Sequence, residues 1–196
     1  ITDMLADETD NRLTISDQLI TVTGAITVDN ANLLGETTTG KVTATILTTE
    51  SVTELATLNE DGGVNAFTII ISESDATSST AAQLNTINDA VSASVVINLT
   101  NVTALAGSTL ADLGTLATAI TNNEFTNADG LTTIAVTDTT IDATALLARI
   151  TSYDSINGGN TTGMTLASGA TINVDASEIT DMLADETDNR LTISDQ

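Results

Sequence analysis

The chain repeatedly passes from one apolar spacing to another. Within 42–47, Val42, Ala44 and Ile46 alternate with Thr43 and Thr45, the period of a strand with one buried face. A few residues later the spacing becomes helical, opened by a Ser, Thr or Asp able to accept from a free N–H of the first turn. Six such caps have a large aliphatic four residues on: Asp29 with Leu33, Ser51 with Leu55, Thr80 with Leu84, Thr109 with Leu113, Asp142 with Leu146, and Asp175 with Ile179. Glu54, Gln83 and Glu178 add the third-position partner of a capping box. The six aliphatics are the expected core contacts beneath the helices.

Upstream of each cap lies a β-like segment rich in Val, Ile and Thr, at 20–22, 42–47, 67–72, 95–99, 131–136 and 164–167. Gly, Asn and Asp turns follow most helices, as at Gly40, Gly62-Gly63, Gly130 and Gly158-Gly159. The unit is therefore strand, corner, helix, turn. A strand that returns to a parallel neighbour through a helix crosses over right-handedly. One unit cannot bury its apolar face alone, so units stack.

A longer period encloses these units. Residues 1–18, ITDMLADETDNRLTISDQ, are identical to residues 179–196, an offset of 178. The cap-to-cap spacings of 22, 29, 29, 33 and 33, with 32 more to the next copy of Asp29, together fill 178. The reading is one full tandem repeat over 1–178, made of six units, followed by the start of an identical repeat at 179–196. The expected fold is α/β: a right-handed solenoid of about six strand–corner–helix coils per repeat with parallel sheets, the alternative being an all-β parallel β-helix.

The cadence Val136-Thr137-Asp138-Thr139, Leu146-Leu147 and Thr161-Thr162-Gly163, echoed at Thr38-Thr39-Gly40, resembles repeats of giant tandem-repeat surface and secreted proteins of aquatic bacteria, including cyanobacteria. That resemblance implies an extracellular or cell-surface setting, often rich in calcium, and roles in adhesion, motility or fibres. The glycine–aspartate nonapeptides of calcium-binding secreted toxins are absent, and a perfect 18-residue repeat at long spacing implies a more uniform array.

Charge narrows the chemistry. Twenty-seven acidic residues face four basic ones, for a net charge of -23, and there is no histidine, cysteine, proline or tryptophan. This composition excludes thiol and ordinary zinc, haem or iron–sulfur chemistry, and His-dependent acid–base catalysis. Nucleic acid is not an expected partner, because binding it requires cations that displace phosphate counter-ions. No apolar run is long enough to suggest membrane insertion of this segment. Carboxylate pairs such as Asp7 with Glu8, Glu60 with Asp61 and Asp185 with Glu186 could serve glycoside hydrolysis only across a cleft with a sugar platform. Weak calcium binding is the more natural use of turn carboxylates, with Asp61, Asp129, Asp185 and Asp188 as candidates. The leading expectation is a non-catalytic extracellular filament whose partners are further copies of the same repeat. A calcium-responsive adhesin stalk is second and a carbohydrate-active solenoid enzyme third.

Overall fold

A computed structural model describes residues 1–10, 13–59, 64–92, 94–159 and 161–193. Among them the chain forms α1 (Thr2–Thr9), β1 (Ile20–Ile26), α2 (Val28–Thr37), β2 (Val42–Ile46), α3 (Val52–Leu55) and β3 (Ala66–Ile70). There follow α4 (Ala81–Asp89), β4 (Ile97–Asn98), β5 (Ala104–Ser108), α5 (Leu110–Thr121), β6 (Phe125–Thr126), β7 (Thr133–Val136) and β8 (Thr140–Asp142). The last elements are α6 (Ala143–Ile156), β9 (Gly163–Leu166), β10 (Thr171–Asn173), α7 (Ile179–Thr187) and β11 (Leu191–Thr192). The fold is mixed α/β with parallel sheets, and its helices set aside the all-β alternative.

Local chemistry starts the helices. Ser51 accepts from Glu54 N at 3.2 Å while its own N–H donates to Glu54 Oε2 at 2.7 Å, closing a capping box at α3. These Ser51 bonds, the backbone one foremost, hold the Glu54 carboxyl below its usual range. Thr80 and Gln83 make the same box at α4. Thr109 caps α5 through Asp112 N, and Asp142 caps α6 through Ala145 N. Leu55, Leu84, Leu113 and Leu146 are buried beneath these helices.

Two caps differ from expectation. At α2 the cap is Thr27, which accepts from Asn30 N at 3.2 Å, and Asp29 lies inside the first turn. Starting the helix two residues earlier turns Val28, Ala31 and Leu34 inward and leaves Leu33 44% exposed. The positions one, four and seven after the cap form the buried stripe here as in α4, where they are Ala81, Leu84 and Ile87. At α7, Asp175 opens a turn instead of capping: its N–H donates to Glu178 Oε2 at 2.9 Å, and the helix begins at Ile179. That extra turn rotates Ile179 outward and brings Met182 into the core.

The β-like segments do not share one ladder. One sheet runs β1-β2-β3-β4-β6, a second runs β5-β7-β9-β11, and β8 pairs with β10, every pairing being parallel. After β4 the chain turns through Leu99–Val102, where Asn101 Nδ2 donates to Ile71 O at 2.8 Å. It then lays β5 against an irregular rung, with Thr103 N donating to Ala76 O and Ala106 N to Ser79 O. Segment 131–136 thus continues the line of β5, not that of 95–99. Later units carry two or three short strands where earlier ones carry one.

The core lies between sheets and helices. Leu105, Ile134, Met164 and Leu191 stand in register on four successive strands of the second sheet, all buried. Helices pack in chain order, α3 on α4, α4 on α5, α5 on α6 and α6 on α7. No helix among the described residues is long and apolar enough to cross a membrane.

Candidate self-association interface

Contacts between successive units show how one unit recognises the next. The first N–H of a helix is satisfied by a side chain from the following unit. Val28 N donates to Glu50 Oε2 at 3.4 Å, Val52 N to Asp75 Oδ2 at 2.9 Å, Ala81 N to Ser108 Oγ at 2.9 Å and Leu110 N to Asp138 Oδ2 at 2.8 Å. A helix leaves its first four N–H groups without internal partners. Its positive end also favours a carboxylate. Asp75 and Ser108 are buried, so the bonds to Val52 and Ala81 are interior ones between units, and the other two are partly buried. Asparagines add to them: Asn32 Nδ2 donates to Thr57 O at 2.8 Å, Asn85 Nδ2 to Asp112 O at 3.0 Å, and Asn127 Nδ2 to Asn98 Oδ1 at 2.9 Å.

Sequence reasoning missed Glu50, Asp75, Ser108 and Asp138. Their partners lie 22 to 28 residues upstream, and the offset to their own caps varies. The available signal was an Asp, Glu or Ser a few residues before each cap, which is weak in a chain this acidic.

The identical segments 1–18 and 179–196 differ in their surroundings among the described residues. In the second copy, Leu191 pairs with Met164, Met164 N donates to Arg190 O at 2.7 Å, and Leu191 is 1% exposed. In the first copy, Leu13 belongs to no strand and is 42% exposed. The opposite side reverses. Thr39 N and its hydroxyl both donate to Ser16 O at 2.9 Å, and the Thr38 hydroxyl donates to Gln18 O. A Cβ on Gly40 would lie 2.2 Å from Gln18 O, so this approach tolerates no side chain. Under that cover Ile15 is 6% exposed, whereas its counterpart Ile193 is only partly buried. The described contacts of the first copy are thus with residues that follow it, and those of the second with residues that precede it.

Charge supports the second copy. Arg190 Nε lies 3.1 Å from an Asp154 oxygen on α6, and its Nη1 lies 3.5 Å from Asp185 on α7. Burial pushes the Asp185 carboxyl above its ordinary value, and the neighbouring Arg190 partly offsets this. Thr144 on α6 donates to Glu178 just ahead of α7.

Of the calcium candidates, Asp185 is engaged with Arg190, Asp188 is exposed at the C-terminal end of α7, and Asp129 is exposed in a separate turn at 128–130. Asp61 lies outside the described residues. No group of three or more Asp or Glu side chains among the described residues is placed to hold a metal ion. A groove of about 620 Å³ between α5 and α6 is lined by Thr118, Asn122, Arg149 and Ser152 among others, with no carboxylate in its lining. No protein-family model, curated protein or solved structure matches the chain.

Proposed function

We propose that this chain is a segment of an extracellular structural filament, in which 178-residue repeats form a continuous right-handed solenoid. The observation that carries this reading is the pair of identical segments, each completed on the side where a neighbouring unit is present. In an array every copy of 1–18 has a unit before it and another after it. It then makes the Leu191-type strand pairing on one side and the Ser16–Thr39 contact on the other.

The distribution of charge supports the same reading. Among the described residues, Asp142, which is also a helix cap, is the only charged residue in the eleven strands, although 27 acids lie in the chain. Repeated strands stack about 4.8 Å apart. A carboxylate on one of them would face its like at every repeat, an unfavourable cross-strand pair. Uncharged strands let an identical sequence extend its ladder, while acids on helices and loops keep the array soluble. The extracellular placement rests on the resemblance of these repeats to those of bacterial surface proteins.

The test is a chain carrying one further 178-residue copy. Solution scattering should give a stiff particle lengthened along a single axis, with a melting midpoint no lower than that of the parent. Two independently tumbling bodies joined by a hinge at 179–196 would overturn the proposal.

A further inference from the structure

Helix α6 ends at Asn157, and the bonds made there reach into the core. Asn157 is 3% exposed, and its Nδ2 donates to Leu131 O at 3.1 Å and to Thr162 Oγ1 at 3.4 Å. The Thr162 hydroxyl donates to the same Leu131 O at 3.1 Å, and Thr162 N donates to Asp154 Oδ1 at 3.0 Å. Leu131 and Thr162 are fully buried. One side-chain amide thus ties the end of α6 to the backbone ahead of β7 and to the residue before β9. The chain leaves the helix through Gly158 at φ +64° and Gly159 at φ +84°, left-handed conformations that glycine adopts without strain. Gly158 N donates to Ser155 O at 3.3 Å, and Gly159 N to Asp154 O at 2.8 Å.

The glycine that the turn requires has a chemical consequence. Asn157 is the only asparagine in the chain followed by glycine. With no Cβ on the next residue, nothing shields the Gly158 nitrogen from the Asn157 side-chain carbonyl carbon. We propose that Asn157–Gly158 is a deamidation site that the fold holds closed, and that the carboxylate formed there keeps the turn from closing again. The Gly158 nitrogen loses its proton to hydroxide and attacks Asn157 Cγ. The new C–N bond closes a cyclic imide, and Nδ2 takes up a proton and leaves as ammonia. One water then opens the imide at either carbonyl, giving aspartate or isoaspartate, so amide and water become carboxylate and ammonia. In the closed turn both reacting groups are held, the amide by Leu131 O and Thr162 Oγ1 and the Gly158 N–H by Ser155 O. Reaction requires the turn to open, and its rate falls with the open fraction. Afterwards the donor at Leu131 O has become an oxygen. The Thr162 hydroxyl can then serve Leu131 O or the new carboxylate, but not both. The negative charge also stands in a buried place, close to the Asp154 carboxylate that Thr162 N contacts. An ionised group so placed costs far more than the amide it replaces. The inference concerns one turn within a unit and stands apart from the filament reading.

The test incubates the full chain in alkaline buffer, native and in denaturing urea, and follows each asparagine by peptide mapping and mass spectrometry. In urea Asn157 should convert before any other asparagine, and in the native chain its conversion should be slower by at least about tenfold. Equal rates in the two conditions, or another asparagine reacting first in urea, overturn the closed site. Chain deamidated in urea and refolded should melt about 5 °C or more below unreacted chain carried through the same treatment. Asn157→Asp should reproduce that loss. Asn157→Ala, which removes the donor without adding a charge, should lose clearly less. An Asn157→Asp chain as stable as the parent overturns the block on closure. So does an Asn157→Ala chain that loses as much as Asn157→Asp, whether both melt early or neither folds. These rates and midpoints are read on the parent length, so their failure is distinct from that of the lengthened array.

Discussion

Replacing Asp75 by alanine removes one bond between units, together with the 3.4 Å bond from the Ser78 hydroxyl within its own unit. Asp75 is 7% exposed, its Oδ2 accepts from Val52 N at 2.9 Å, and Val52 is itself buried. Alanine leaves that N–H facing a dry space without an acceptor. Stranding a buried donor costs about 1–3 kcal/mol. For a chain of this length, each kcal/mol lowers the melting midpoint by about 2–4 °C, so the total shift is roughly 2–12 °C. Asparagine keeps an oxygen at the same position and gives up only the charge, so Asp75→Asn should lose under about 1 kcal/mol. Urea unfolding followed by far-ultraviolet circular dichroism measures the difference, and hydrogen exchange at Val52 N–H locates it. The four-residue α3 should lose protection before its neighbours, because its first donor is then held by no acceptor. If Asp75→Ala stays within about 0.5 kcal/mol of the parent, the bond between units contributes nothing measurable. If Asp75→Asn is as damaging as Asp75→Ala, the carboxylate acts through charge and not through the bond to Val52.

Tyr153 is the only tyrosine, buried with its hydroxyl donating to Leu113 O at 3.1 Å, and burial raises its phenol far above the ordinary value of about 10. Tyrosinate absorbance should therefore appear together with loss of helical signal on alkaline titration; ionisation with the fold intact would refute this. The raised Asp185 carboxyl, facing Asp154, Asp181 and Arg190, binds its proton more readily folded than unfolded. Protection of Met164 N–H should accordingly increase as pH falls from neutral through that raised value and level off below the unfolded carboxylate value of about 3.9, and Asp185→Asn should remove the change. A net charge of -23 should make the melting midpoint rise with sodium chloride, and rise further with a divalent cation at equal ionic strength; equal midpoints in chelator, sodium chloride and calcium would show that the acids are already too far apart to repel.

Features governed by a few neighbouring residues were legible in the sequence. Ser51, Thr80, Thr109 and Asp142 cap helices because the cap bond spans three residues, and the leucine four beyond each is turned inward by the helix itself. Asp29 and Asp175 were misread for the same local reason. Thr27 stands two residues before Asp29 with equal chemistry, and only the end of β1 decides between them. A one-residue change of phase, about 100° around the helix, then exchanges Leu33 for Leu34.

Strand partnership lay beyond that reach. A β-prone composition marks 95–99 and 131–136 alike, but pairing depends on which rung already stands beside a segment, so β4 joins β6 while β7 joins β5. The acceptors Glu50, Asp75, Ser108 and Asp138 were hidden too, because a carboxylate or hydroxyl becomes a cap for another unit's helix only when stacking brings that helix to it. The twin segments separate the two kinds of information. Both copies of ITDMLADETD become helix, α1 and α7, because their spacing requires nothing from outside. The copies of the following leucine do not share a state: Leu191 is a buried strand residue because Met164 stands beside it, whereas Leu13 is exposed and pairs with no strand among the described residues. A helix satisfies its backbone within itself, whereas a strand takes its hydrogen bonds and its cover from a neighbour. Sequence therefore determined the repeat, the helices, and the caps Ser51, Thr80, Thr109 and Asp142 with the leucine beneath each, while tertiary structure decided strand partnership and which of the other apolar residues became interior.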